Sequence, residues 1–282
     1  MRCPNLFTRL ALLSVFCGLF FNIAIGQVKP MLRQEASPST DKSKFWLFLL
    51  AGQSNMAGRG AVEAIDTMPN VHVLTLNKDG EWEIAKDPIH FDRTYAGVGP
   101  GLSFGKDMAK AYPAVYVGLI PCAVGGSSVT SWQPDNAPKN ENYLKAIERC
   151  KKAMETGTLK GIIWHQGETD CTAKGVTTYE QRLINTINGF RKDLGMPALP
   201  FIAGELPAFQ MHFPDKADQL TDNPYVPQIN QIIAGLKAKL ENYDYVKADS
   251  TDHRGDRLHF NSASARLMGK RYAVAMKQYL KK

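Results

Sequence analysis

The chain alternates short, unbroken apolar runs with longer segments whose apolar positions recur every three or four residues. Phe45-Trp46-Leu47-Phe48-Leu49-Leu50-Ala51 is apolar throughout, the pattern of a strand buried on both faces. A Gly and a Ser-Asn pair follow at once, which predicts a strand-to-helix turn. Further strands are predicted over 71–76, 115–120, 161–164, 200–204 and 243–248, with 82–84 pairing as a hairpin across Asn77-Lys78-Asp79-Gly80. Helical periodicity covers 101–111, 143–154, 178–194, 226–240 and 262–280. Strand following helix in this way argues for an α/β fold, a mostly parallel sheet with helices on both faces. In such sheets ligands bind outside the carboxyl ends of the strands.

The first residues follow a different rule. Arg2 and Arg9 flank the start of an apolar run over 10–25, and Ala24-Ile25-Gly26 presents small residues where a signal peptidase reads. Residues 1–26 are therefore expected to be a signal segment cleaved before Gln27, and the protein to be exported, periplasmic or extracellular. The run is short for a membrane span of about 20 residues, so no stable span is expected in the mature chain. Residues 27–44, with Pro30, Ser37, Pro38, Ser39 and Thr40, read as a linker, leaving 45–282 as the folded domain.

Losing Arg2 and Arg9 takes the formal charge from +7 to +5. No Lys/Arg run with interleaved aromatics appears, so nucleic acid is not an expected partner. Cys122, Cys150 and Cys171 would remain, an odd number that makes no disulfide framework; a single Cys150–Cys171 bridge stays open. Nothing has the spacing of a zinc site, and no phosphate-binding glycine loop opens a helix after a strand.

Polar motifs cluster where the predicted strands end. Gly52-Gln53-Ser54-Asn55-Met56-Ala57-Gly58 follows the first strand, and Gly125-Gly126-Ser127-Ser128 follows 115–120. His165-Gln166-Gly167-Glu168-Thr169-Asp170 follows 161–164, and Asp256-Arg257-Leu258-His259-Phe260 lies past the last strand. Along one sheet edge these supply the parts of acyl transfer. A serine hydroxyl needs a base to take its proton, and His259 can serve, oriented by Asp256. An oxyanion needs preorganised donors: the Ser54 N–H, the N–H of Gly125 or Gly126, and the Gln166 side-chain amide.

The Gly-Gln-Ser-Asn-Met-Ala-Gly block resembles the nucleophile block of the sialate O-acetylesterase and acetylxylan esterase branch of the SGNH hydrolases. Gly99-Pro100-Gly101-Leu102, Gly125-Gly126 with Trp132, Trp164-His165-Gln166-Gly167-Glu168 and Asp256-x-x-His259-Phe260 agree in order and spacing, from about Phe45 to Lys281. The resemblance implies a flavodoxin-like three-layer α/β/α fold and hydrolysis of O-acetyl esters on carbohydrate, such as acetylated xylan or O-acetylated sialic acid, without metal or other cofactor. It implies Ser54 as nucleophile, His259 as base, Asp256 as its partner, and Ser54, a glycine of the 125–126 turn and Gln166 as oxyanion donors. Many SGNH enzymes carry Asn where Gln166 stands.

Plainer roles compete at several positions. Ser54 could cap a helix; His253, beside Asp252, competes as base; and Gln166 could support the Ser54 loop instead of the oxyanion. Gln53, Asn55, His165 and Glu168 are expected near substrate or just behind the site, with Glu168 and Asp170 structural rather than a metal or glycosidase pair. Trp132 either stacks on a sugar or caps a surface, Arg59 is expected to be solvated, and the loop holding His90, Arg93 and Tyr95 could line the pocket. A lipase or thioesterase of the same class, and a sugar-binding module of the same fold without activity, are the alternative functions.

Overall fold

A computed structural model describes residues 41–214 and 220–280. The predicted signal segment and residues 27–40 of the linker lie outside them. Lys42–Lys44 form one 3-10 turn, which the Asp41 side chain caps by accepting from the Ser43 N–H.

The described strands and helices run β1 Phe45–Gly52, α1 Ser54–Ala57, α2 Ala64–Thr67, β2 Val73–Leu76, β3 Trp82–Ile84, α3 Pro100–Ala111, β4 Tyr116–Pro121, α4 Glu141–Ala153 and β5 Thr158–His165. Then come α5 Ala173–Asp193, β6 Phe201–Gly204, β7 His212–Pro214, β8 Leu220–Asp222, α6 Tyr225–Gly235, β9 Tyr243–Val246 and α7 Ser262–Lys277. Seven strands make one sheet in the order β3-β2-β4-β1-β5-β6-β9. All neighbours are parallel except β2 and β3, the predicted hairpin.

The unbroken apolar run of β1 has the predicted cause, since the strand is central and covered on both faces. Phe45, Leu47, Leu49 and Ala51 point into a layer with α4, α5 and α6. Phe48 and Leu50 point into the opposite layer with α1, α3 and α7. Phe45, Leu47, Phe48, Leu49 and Leu50 are wholly buried, each contributing about 1.5–3 kcal/mol of apolar burial. The three-layer α/β/α architecture follows from these two cores.

The differences from expectation are local. The helix predicted over 178–194 starts at Ala173, because Thr172 caps it by accepting from the Gly175 N–H. The helix predicted to 240 ends at Gly235 and continues as a 3-10 turn over Leu236–Ala238. The β7–β8 ribbon carries no alternation that would have marked it as strands. Cys122, Cys150 and Cys171 are all free thiols, so no Cys150–Cys171 bridge forms. Among the described residues no helix is long and apolar enough to cross a membrane.

The strand order also fixes where a site can form. From β1 the chain moves towards β2, whereas from β5 it moves the other way through β6 and β9. This reversal opens a crevice at the carboxyl ends of β1 and β5.

Helix α7 crosses α3 closely at Gly269. A Cβ at Gly269 would collide with the Ser103 hydroxyl and the Pro100 carbonyl, and would lie 2.9 Å from the Phe104 nitrogen. Gly235, also helical, has open space around it. Helix propensity alone favours Ala at both positions by about 1 kcal/mol. Backbone atoms cannot move aside cheaply, so Gly269→Ala is expected to destabilise by about 1–3 kcal/mol, and Gly235→Ala to stabilise by up to about 1 kcal/mol. Chemical denaturation of the two variants checks the opposite signs; stabilisation by both would remove the close-crossing argument.

Candidate active site

Gly52 ends β1 with φ +125°, and a Cβ there would strike the His165 carbonyl at the end of β5. That carbonyl accepts the Gln53 N–H at 2.8 Å. The close approach turns the chain sharply into α1 with Ser54 as its first residue. Gln53 occupies the cap position, so Ser54 is not a helix cap, and its hydroxyl is free to point elsewhere.

It points at His259. Ser54 Oγ lies 3.0 Å from His259 Nε2, and His259 Nδ1 lies 2.8 Å from Asp256 Oδ2. The other Asp256 oxygen accepts the N–H groups of Leu258 at 3.0 Å and His259 at 2.8 Å. Partial burial raises the Asp256 pKa, but these N–H donors and the His259 ring outweigh it and hold the carboxyl below its usual range. The spacing of three residues works because the backbone folds back between them, with Arg257 at φ +54°. His253 is directed away: its Nδ1 accepts the Gly255 N–H at 2.9 Å, and its ring packs edge-on against Phe209.

Asn55 joins the serine turn to the histidine loop. Its Nδ2 donates to Glu168 Oε1 at 2.7 Å and to the Leu258 carbonyl at 3.1 Å, and its Oδ1 accepts the Phe260 N–H at 2.9 Å. Gln210 donates to the same Leu258 carbonyl at 2.6 Å. Burial pushes Glu168 up to about 7 against the Asn55 hydrogen bond, so this carboxyl is substantially protonated at neutral pH. His165 is wholly buried, takes Tyr272 Oη as its Nδ1 partner at 3.0 Å, and is pushed by burial down to about 3. It is a neutral packing residue behind the site.

Gln166 takes the loop-supporting one of its two expected roles, and Trp132 takes neither of its own. Gln166 is wholly buried, and its Nε2 donors are taken by Asp170 Oδ2 at 2.5 Å and the Ser127 carbonyl at 3.2 Å, with Gln53 Oε1 at 3.3 Å. Its amide therefore braces the loop and does not reach the oxyanion position. Trp132 is also wholly buried, donating its indole N–H to Ser127 Oγ at 3.1 Å and packing edge-on against Trp164, so it cannot stack on a sugar.

Asp170 is structural, as expected. Besides Gln166 it accepts from Ser128 Oγ at 2.7 Å and from the Val129 N–H at 2.8 Å, which anchors the segment just after the glycine turn. Gln53 lines the cleft while its Oε1 receives the Gly167 and Thr169 N–H groups at 3.4 and 3.3 Å.

Of the two candidate glycines, Gly125 has its N–H committed to Asp92 Oδ2 at 2.8 Å. Gly126, at φ +79°, keeps its N–H without a partner among the described residues. Ser54 N–H, in the first turn of α1, is the other donor with no place in the helix ladder.

These groups open on a cleft of about 430 Å³ lined by Gln53, Ser54, Arg59, Arg93, Tyr95, Gly125, Gly126, Glu168, Thr169, Leu258 and His259. The 88–97 loop thus supplies part of the wall. Arg59, expected in solvent, is buried in an ion pair with Asp92 at 2.6 Å and lies 5.4 Å from the centre of the Tyr95 ring. Asp92 drew no notice in the sequence because its partners are 33 positions away on either side.

A profile of the family described as carbohydrate esterase, sialic acid-specific acetylesterase, matches residues 44–278. A probable carbohydrate esterase of Arabidopsis thaliana is 29% identical over 275 residues, covering 90% of this chain and 96% of its own. The X-ray structure of that plant protein covers 83% of this chain and 99% of its own, with a TM-score of 0.73 at 26% identity. NanS superposes with a TM-score of 0.63 at 17% identity over 86% of this chain and 98% of its own. A carbohydrate acetylesterase from Xanthomonas citri gives 0.63 at 20% identity over 84% of this chain and 56% of its own. Both share the fold. The chain belongs to the carbohydrate esterase, sialic acid-specific acetylesterase family, and is a carboxylic ester hydrolase.

Proposed function

We propose that the protein removes acetyl groups from carbohydrate by a serine mechanism, with Ser54 as nucleophile, His259 as general base and acid, and Asp256 as the carboxylate that orients it. The observation that carries this reading is the unbroken chain Asp256 Oδ2, His259 Nδ1, His259 Nε2, Ser54 Oγ, with links of 2.8 and 3.0 Å, ending in the cleft.

His259 Nε2 takes the Ser54 proton as Oγ attacks the acetyl carbonyl. The tetrahedral oxygen forms beside the N–H groups of Ser54 and Gly126. Collapse breaks the ester bond, and His259 passes its proton to the departing sugar oxygen. A water then gives a proton to His259 and attacks the acetyl-Ser54 carbonyl. Collapse returns the proton to Ser54 Oγ and releases acetate. The cationic form of His259 in each step is stabilised by Asp256, which is held ionised.

The composition of the cleft favours a sugar over a lipid. Leu258 is its one aliphatic wall residue, while Gln53, Arg59, Arg93, Glu168 and Thr169 are polar or charged. Tyr95 is 65% exposed on that wall, a flat amphipathic surface for a sugar ring. A long acyl chain would meet only one aliphatic side chain there, which disfavours the lipase and thioesterase readings, and the aligned Ser54 and His259 disfavour a module that only binds.

Ser54→Ala is expected to lower turnover about 10⁴-fold or more, and Asp256→Asn about 10²- to 10⁴-fold, with unchanged melting behaviour. Acetate release from acetylated xylan, O-acetyl sialic acid and a short synthetic acetate ester measures both; substantial turnover by the Ser54 variant would refute the serine mechanism. Tyr95→Ala is expected to raise KM on the preferred glycan about tenfold, the scale of one lost aromatic contact, while sparing the short ester. An equal effect on both substrates would mean that Tyr95 shapes the site without touching sugar.

Glu168 adds a pH dependence. Below 4.5 it is protonated in both folded and unfolded chains, and above about 7 it is ionised in both. Between these values the folded chain binds the extra proton at Glu168, so the Glu168 contribution to stability falls as pH rises through 4.5 to 7, by about 3 kcal/mol for that gap, against the opposite contribution of the buried His165. Glu168→Gln, which cannot ionise, is expected to lose this slope. Parallel unfolding curves at pH 5 and pH 8 check it, and identical slopes for both proteins would dismiss Glu168 as the source.

A further inference from the structure

The glycine turn that supplies an oxyanion donor is held from outside the turn. Asp92 Oδ2 accepts the Gly125 N–H at 2.8 Å and the Arg59 Nη2 at 2.6 Å, while Arg59 Nη1 reaches Asp92 Oδ1 at 3.3 Å. Both side chains are only 3% exposed. Arg59 Nη1 also donates to the Gly58 carbonyl at 2.7 Å, and the Arg59 carbonyl accepts from Arg254 Nη1 at 2.8 Å. The pair therefore joins the segment leaving α1, the 88–97 loop and the glycine turn, with a further link to the loop that carries His259. The turn is packed onto it, since a Cβ at Gly125 would collide with Arg59 Nη2 and come within 3.0 Å of Asp92 Oδ2.

A buried ion pair gives little net stability over apolar side chains that pack equally well. Its effect here is geometric. Two successive glycines have the widest conformational freedom of any dipeptide, and an oxyanion donor works only if it is already aimed when charge develops. The Ser127 N–H closes the turn onto the Val124 carbonyl at 3.2 Å, so pinning the Gly125 amide as well leaves the Gly126 amide little room to swing. We propose that Asp92, held by Arg59, is a positioning residue for the reaction: it pins the Gly125 N–H so that the Gly126 N–H faces the oxyanion formed on Ser54. The inference rests on the serine mechanism above.

The test uses the full mature chain carrying Asp92→Asn, which keeps the shape but presents Arg59 with a neutral amide. The readouts are kcat and KM on a short acetate ester, melting temperature, and affinity for methylboronic acid. The boron accepts an electron pair from Ser54 Oγ, and the tetrahedral adduct places an oxygen at the oxyanion position. The expected result is a kcat lowered about 10- to 100-fold, below the 10²- to 10³-fold typical of deleting a donor outright. KM should stay within about threefold, and boronate affinity should fall in step with kcat. A lower melting temperature with wild-type kcat and boronate affinity would overturn the proposal, leaving Asp92 a purely structural residue.

If the unpaired Arg59 prevents folding, Arg59→Met with Asp92→Leu removes both charges and keeps the volume. The same loss of kcat is expected, and wild-type kcat in that double variant would overturn the proposal equally. Wild-type protein without Ser54-dependent acetate release would instead refute the serine mechanism, and the positioning role with it.

Discussion

Asn55 is the point on which the geometry of the site depends. The serine turn, the Glu168 loop and the His259 loop lie far apart in the sequence, 113 residues separating Asn55 from Glu168 and 203 separating it from Leu258, and backbone connectivity alone does not align them. The Asn55 side chain bonds to all of them: Glu168 Oε1, the Leu258 carbonyl and the Phe260 N–H. It is 2% exposed, so water cannot replace those partners cheaply. A buried amide with donors and acceptor satisfied in one arrangement admits no other, which is how a Ser54–His259 contact of 3.0 Å can exist before substrate arrives.

The same logic explains why polar side chains that look catalytic are spent on support. Gln166 and Asp170 form a brace beneath the glycine turn, with Gln53 as its third member. The strands bring backbone ends together at the sheet edge, where no ladder continues, and the resulting orphan N–H groups of Gly167, Thr169 and Val129 need acceptors. Carboxylate and amide oxygens fill that need. The N–H groups of Ser54 and Gly126, in residues that line the cleft, remain without such acceptors among the described residues.

The sheet and its helices were legible in the sequence because two-sided burial imposes an unmistakable pattern, as in residues 45–51, and because connections such as those from α3 to β4 and from α4 to β5 are short. Ser54, Asp256 and His259 were legible as candidates for a chemical reason: a serine next to a strand end and an Asp-x-x-His in a late loop are the parts the proposed mechanism needs. The sequence could not decide between the two roles open to Gln166, and neither role offered for Trp132 holds, because a side chain's direction is set by its neighbours and both are wholly buried. Arg59 and Asp92 were out of reach because an ion pair between loops leaves no periodicity in either partner. The β7–β8 ribbon has three-residue strands, too short to show alternation.

Two carboxyl groups near the serine are driven in opposite directions, and the cause in each case is the donor set. Asp256 accepts two backbone N–H groups as well as the His259 ring, and it stays anionic despite partial burial. Glu168 lies deeper, receives the Asn55 amide on one oxygen, and leaves the other buried without a partner. Desolvation therefore wins at Glu168 and donors win at Asp256. A second fixed anion in the cleft would oppose the oxyanion of the proposed mechanism; with Glu168 pushed up to about 7, that opposition is only partial near neutral pH. Asp256 can remain charged because its charge is directed at the His259 ring, the one place where the reaction creates a cation.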